Sequence, residues 1–187
     1  MKKILLFVTI VVFGALVARA QYILPLKEQS RVIDELLAER LNHLLPTLMK
    51  EEGIDMWIII SREYNEDPVI KTMLPSTWIS ARRRTILVFY NNPNGTIEKY
   101  AIARYNVGTE IKAAWDMNKF PDQWDALTDL IKQKNPNKIG LNYSTHYAHA
   151  DGLTFTEQKE LTAKLPTATA SKVVSAEKLA VRWLETR

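Results

Sequence analysis

Three short segments carry side chains whose types and spacing could do chemistry. The first is His146-Tyr147-Ala148-His149-Ala150-Asp151, with two imidazoles and a carboxylate close together. Such groups ligate zinc, but a zinc site needs three or four ligands in fixed geometry. The other histidine of the chain, His43, falls on a different element, and no HExxH pair is present. His146, His149 and Asp151 are therefore candidate ligands set against a plainer reading, a polar loop that ends in an Asp-Gly turn.

The second segment is Arg82-Arg83-Arg84. A guanidinium grips a carboxylate or phosphate with two parallel hydrogen bonds. The competing reading is a basic lead-in to a strand, with acidic partners across the sheet. Alternation lets at most two of the three share a face. The third segment, Arg62-Glu63-Tyr64-Asn65-Glu66-Asp67, follows an apolar run directly. Loops at the carboxyl ends of sheet strands are where α/β proteins gather binding groups; the alternative is a charged entrance to a helix. Of the 5 tryptophans, Trp57, Trp124 and Trp183 fall at core positions of predicted elements. Trp78 and Trp115 fall in connections, where an aromatic suits a domain or subunit interface. Tyr64, Asn65, Trp78, Arg82, Arg83 and Arg84 are thus the residues expected to meet a ligand or line an entrance.

Other chemistries find no residues. The chain has no Cys, which excludes disulfides, thiol nucleophiles and Cys-linked lipid. There is no Gly-x-Ser-x-Gly elbow, no Ser-His-Asp set, and no Gly-rich phosphate loop among the 6 glycines. Asn94-Gly95-Thr96 and Asn142-Tyr143-Ser144 match the glycosylation sequon, which matters only on a eukaryotic secretory route.

The elements that must position these segments follow from periodicity. Ile33, Leu37, Leu41, Leu44 and Leu48 recur at helical spacing and predict a helix from about Arg31 to Glu52, with Ser30 as N-cap, Gly53 as stop and a kink or break at Pro46. Met56 to Ile60 is continuously apolar, as in a strand covered on both faces. Asp67-Pro68 predicts the start of a short helix ending near Pro75. Thr85–Tyr90 and Ile97–Ala103 predict an antiparallel pair joined at Asn94-Gly95. Val107–Trp115 reads as a short strand. A helix follows Pro121, with Trp124, Leu127 and Ile131 on one side and Asn135-Pro136 closing it. Lys138–Asn142 is a strand, Thr154 with Glu157 a capping box opening a helix that ends before Pro166. Lys172–Val174 is a last strand, and Ser175 caps a final helix carrying Ala176, Leu179, Ala180, Trp183 and Leu184. Strands alternating with helices predict an α/β fold, a mixed sheet of five to six strands with helices on both faces.

Lys2 and Lys3, the uncharged run Ile4–Val17 and Ala18-Arg19-Ala20 predict a signal peptide over residues 1–20 with cleavage after Ala20. The apolar run is shorter than the roughly 20 residues of a spanning helix, so no stable membrane anchor is expected. The protein is then exported, periplasmic or extracellular, and the Met-Lys-Lys start is bacterial in style. Of the 25 basic residues, three leave with that segment, and 22 face 21 acidic ones. The net charge of +4 therefore belongs mostly to the leader, and no nucleic-acid partner is implied. Residues 21–187 read as one domain. Trp183 and Leu184 lie close to where the sequence stops, as if a further segment followed.

The order of these segments resembles one family. Arg40-Leu41 through Gly53-Ile54-Asp55-Met56-Trp57-Ile58-Ile59, then Tyr64-Asn65-Glu66-Asp67-Pro68, Ser80-Ala81-Arg82-Arg83-Arg84-Thr85, Lys138-Ile139-Gly140-Leu141-Asn142 and Ala150-Asp151-Gly152-Leu153 are similar, in order, to the N-terminal domain of the creatinase/prolidase/aminopeptidase P (pita-bread metallopeptidase) family. The resemblance implies a ribonuclease H-like motif in a domain that does no chemistry. Such a domain mediates homo-oligomer contacts and helps wall the active-site entrance for proline-containing peptides. It implies a partner, the chain's own C-terminal catalytic domain, whose two divalent metals (manganese, cobalt or zinc) are held by two Asp, one His and two Glu. None of those ligands maps onto a residue of this sequence, so no cofactor is expected on this chain. A stand-alone exported domain binding a small anionic or peptide ligand is the alternative.

Overall fold

A computed structural model describes residues 23–186. The predicted signal peptide lies outside the described residues. Helix α1 spans Leu26–Glu39, a π-helical turn follows at Arg40–Leu44, and α2 spans Leu45–Glu51. Pro46 explains the break. Its ring collides with the carbonyl four residues back and it offers no N–H. The preceding turn widens to a π register, with the Leu45 N–H reaching back to the Arg40 carbonyl. Gly53, at φ 63°, ends α2. The Gly53 and Ile54 N–H groups return to the carbonyls of Lys50 and Met49 at 3.1 and 2.9 Å, the Schellman arrangement.

Strand β1, Met56–Arg62, is central. It pairs antiparallel with β2, Arg84–Asn91, in a register that sets Ile58 against Val88 and Arg62 against Arg84. β2 pairs antiparallel with β3, Ile97–Ala101, and β3 pairs parallel with the short β4, Lys112–Ala113. Helix α3, Gln123–Lys134, crosses over to β5, Ile139–Leu141, which lies parallel to β1. Helices α4, Phe155–Lys164, and α5, Thr167–Ala170, lead to β6, Val173–Ser175, parallel to β5, and the chain continues into α6, Glu177–Glu185. The sheet therefore runs β4-β3-β2-β1-β5-β6.

Alternation along the central strands feeds two cores. Trp57, Ile59, Leu87 and Phe89 face one side, against Leu41, Leu45 and Met49 of the N-terminal helices and Leu179, Ala180 and Trp183 of α6. Met56, Ile58, Ile60, Ile86 and Val88 face the other, against Trp124, Leu127 and Ile131 of α3 and Leu161 of α4. Both faces are covered, so the strands can be apolar without interruption, as the sequence of Met56–Ile60 requires. Each fully buried large side chain contributes about 1.5–3 kcal/mol. The expectation of a mixed sheet with helices on both faces is met.

Several local expectations are corrected. Ser30 is not an N-cap. It lies inside α1, which begins after Pro25, and its hydroxyl meets that of Ser76 at 2.5 Å. β3 stops at Ala101 rather than Ala103, because the Gln123 side-chain amide donates to the carbonyls of Arg84 and Ile102, acceptors that a longer ladder would use. In Val107–Trp115 only Lys112–Ala113 is a strand. Val107 and Ile111 instead close a tight loop on each other around Gly108, φ 65°. The helix expected from Asp67 to Pro75 shrinks to a 3₁₀ turn, Ile70–Thr72. Ser175 belongs to β6, although its hydroxyl still accepts the Glu177 N–H at 3.1 Å.

Candidate functional site

The parallel strands β1 and β5 are neighbours, β5 ending at Leu141 opposite Ile58, and the segments that follow them are tied together below the surface. Asp67 is 1% exposed. Its Oδ1 accepts the Val69 and Ile70 N–H groups at 2.7 and 3.3 Å, and its Oδ2 accepts the Asn142 side-chain amide at 3.0 Å. The Asp67 N–H donates to the Ser61 hydroxyl at 3.1 Å, and Trp57 Nε1 donates to Asn142 Oδ1 at 2.7 Å. Gly152 presses on the same carboxylate: a Cβ there would stand 2.1 Å from Asp67 Oδ2. Burial pushes the Asp67 carboxyl up from its ordinary value, and the bonds from Asn142, Val69 and Ile70 oppose that rise. The network couples a strand end, a turn and a distant loop. It is closed to solvent, so its role is to hold the rim above it.

That rim contains the residues the sequence singled out. Past the β1–β2 ladder, the Glu63 N–H donates to the Arg83 carbonyl at 2.6 Å and the Arg83 N–H returns to the Glu63 carboxylate at 3.2 Å. Tyr64 and Arg83 both hold positive φ, 67° and 50°, a conformation that costs a non-glycine residue free energy and collects at binding surfaces. The Tyr64 ring is turned outward, 89% exposed. Asn65 is exposed beside it, held by its N–H to the Arg62 carbonyl at 3.0 Å.

The three arginines divide. The Arg82 guanidinium lies over the Trp78 ring at 4.7 Å, Trp78 meets Tyr105 edge-on at 5.6 Å, and the Tyr105 hydroxyl donates to the Arg82 carbonyl at 2.8 Å. Arg84 is structural. Its Nε and Nη1 donate to Gln123 and Glu160 at 2.8 Å each, and its guanidinium covers the Trp124 ring at 4.4 Å. Its acidic partner stands on α4, not across the sheet as expected. Arg82, Arg83 and Arg104 form no ion pair among the described residues. Arg62, Arg83, Arg84 and Arg104 line an open groove of about 420 Å³ with Tyr105, Trp115 and Gln123. Below it, the buried Glu157 carboxylate lies 3.4 Å from Arg62 Nε, near enough for ion pairing but not aligned as a hydrogen bond, so its Oε1 is otherwise unpartnered. A groove with this lining suits an anionic group held beside a flat apolar one. Arg104, Tyr105 and Gln123 were not foreseen. The first two lie together in the loop after β3 and Gln123 opens α3, and the antiparallel return of β3 brings Arg104 and Tyr105 beside Arg84.

The histidine loop is put together differently. Ser144 organises it: its N–H donates to Asp151 Oδ1 at 3.1 Å, and its hydroxyl accepts the His146 and Tyr147 N–H groups at 3.0 and 2.9 Å. The Asp151 carboxylate is thus taken up by the loop backbone. Among the described residues no group of three or more His, Asp or Glu side chains is placed to hold a metal. Among the described residues, too, no helix is long and apolar enough to cross a membrane. No family model matches this chain, and no curated protein matches it.

Proposed function

We propose that this chain is the non-catalytic N-terminal domain of an exported, proline-directed metallopeptidase of the creatinase/prolidase type, Xaa-Pro aminopeptidase-like. Its arginine–aromatic rim walls a substrate entrance and meets a catalytic domain or a second protomer. The observation that carries the reading is the convergence of Tyr64, Asn65, Trp78, Arg82 and Arg83 at one end of the sheet, at the carboxyl end of β1, on a surface held by a buried polar network. The antiparallel β1-β2-β3 set, continued on the other side of β1 by two parallel strands, is compatible with a ribonuclease H-like arrangement. The two metals would reside in the catalytic domain. The gene gives the test: a reading frame that continues past codon 187 and encodes two Asp, one His and two Glu in family order supports the reading. A stop there, or cleavage of an Ala-Pro peptide by the purified chain with manganese, overturns it.

A second reading is favoured by the unpaired guanidinium groups of Arg83 and Arg104: a stand-alone exported domain holding a small anion or peptide carboxylate in the groove. A heteronuclear NMR titration with a short peptide ending in a free carboxylate decides. Saturable shifts confined to the groove, abolished by Arg83→Ala with Arg104→Ala, favour it; the same shifts from a peptide amide eliminate it.

A further inference from the structure

The hairpin between β2 and β3 lies away from the rim and carries the single Asn-Gly pair of the chain, Asn94-Gly95. The Asn94 side-chain carbonyl accepts two hydrogen bonds from Thr96, from its N–H at 3.0 Å and from its hydroxyl at 2.7 Å. The first of these folds the side chain back over the Gly95 peptide unit as an Asx turn. Gly95 stands at φ 83° with nothing within 4 Å of where a Cβ would be, so no side chain of its own or of a neighbour crowds that face of the residue. Asn94 and Gly95 are both exposed.

We propose that Asn94 is a built-in deamidation site whose reaction Thr96 assists. Base removes the Gly95 amide proton, the nitrogen attacks Asn94 Cγ, and a tetrahedral oxyanion forms on Oδ1. The side-chain nitrogen takes a proton back from the conjugate acid of that base (water), its C–N bond breaks, and ammonia leaves, giving a five-membered succinimide. Water opens that ring at either carbonyl, yielding aspartate or isoaspartate at position 94. No electron transfer is involved. The two Thr96 donors point at the oxygen on which negative charge develops, the arrangement of an oxyanion hole. One contact opposes the reaction: the Gly95 N–H is held by the Asn92 carbonyl at 2.9 Å. That bond sits at an exposed hairpin tip, where opening is cheap. The product adds a negative charge at the tip. Where isoaspartate forms, it also adds a methylene to the backbone, which the tight return between Asn92 and Thr96 cannot absorb in register.

The test is ageing of the purified chain at mildly alkaline pH, with peptide mapping to locate amide loss and isoaspartate. Asn94 is expected to convert ahead of the other nine asparagines. Thr96→Val, which keeps the N–H and removes the hydroxyl, should slow it about tenfold, less than the ~10²–10³ that a lost donor costs in an enclosed oxyanion hole, because water substitutes at the tip. In urea the two chains should react alike. Asn94 staying intact while other sites convert overturns the proposal, and so does a Thr96→Val chain that ages at the wild-type rate when folded.

Discussion

The loops that leave the neighbouring strands β1 and β5 are joined through Asp67 and Asn142 and use their polar groups in different ways. The β5 loop, from Asn142 to Gly152, closes on itself: Ser144 bonds the His146 and Tyr147 N–H groups and the carboxylates of Asp151 and Glu177, while the His146 and His149 side chains stay exposed. The β1 loop turns outward. Tyr64 projects, Arg83 across from it leaves its guanidinium unpaired, and both sit at positive φ. The β5 loop uses Ser144 and Asp151 for its own closure, whereas the β1 loop is held from below by a buried carboxylate and presents its charges. Asp67, bonded to Asn142 and pressed by Gly152, is that anchor and a point where the two loops meet.

Breaking the anchor should give the largest effect. Gly152→Ala forces a methyl into Asp67 Oδ2 and should cost about 3 kcal/mol in urea unfolding, near the upper end of overpacking penalties. Asp67→Ala should cost a similar amount, since it strands three buried donors. The pair sharpens the point: in the Asp67→Ala background, Gly152→Ala should cost far less than alone. Simple additivity would mean that the contact does not carry the strain.

Asp67 also gives a pH dependence with a definite sign. Burial raises its pKa in the folded chain above the unfolded value. The folded state therefore binds a proton more firmly than the unfolded one, and this favourable contribution is fully present below the unfolded pKa. It is lost as pH rises through the window from the unfolded to the folded pKa. Unfolding free energy of the wild type, measured relative to Asp67→Asn across that window, should fall with rising pH. A flat or rising difference would show the carboxyl to be better solvated than its burial implies.

Among the arginines the ranking is Arg84 first. Arg84→Ala should cost about 1–2 kcal/mol, through two hydrogen bonds and the Trp124 stack, discounted because Glu160 is half exposed. Arg83→Ala should stay within about 0.5 kcal/mol; under the proposed function its effect would fall on ligand or domain contact instead. Equal losses of stability would remove the distinction between a supporting and a presenting arginine.

How legible this was in the sequence depends on the range of the cause. Local causes were readable. Pro46 broke its helix, Gly53 ended it, and Thr154 with Glu157 opened α4, because each acts within a turn. The strand core was readable because Met56–Ile60 is apolar at every position. The site was half readable. Tyr64 and the three arginines announced themselves by composition, but their division of labour rests on Gln123, Trp124 and Glu160, some 40 to 76 positions away in sequence from Arg84. Asp67 read as a helix cap; the 3₁₀ turn is instead capped at Val69, and the Asp67 carboxylate accepts the Val69 and Ile70 N–H groups at its entrance. Nothing in its neighbourhood foretold Asn142 or the close approach of Gly152, since both arrive only when β5 docks beside β1.

The smallest effect should come from the β5 loop. His149 is exposed, and no bond from its ring to another side chain helps hold the loop, whose closure depends on Ser144 and Asp151. His149→Ala should therefore change stability by less than about 0.5 kcal/mol. The wild type and the variant should also give the same melting temperature with and without added zinc. A zinc-dependent rise in the wild type that His149→Ala removes would mean that this loop reorganises around a metal, and the contrast between the two loops would then fail on its β5 side. If the two chains stay indistinguishable, the loop keeps its shape without a metal and the contrast holds on its β5 side.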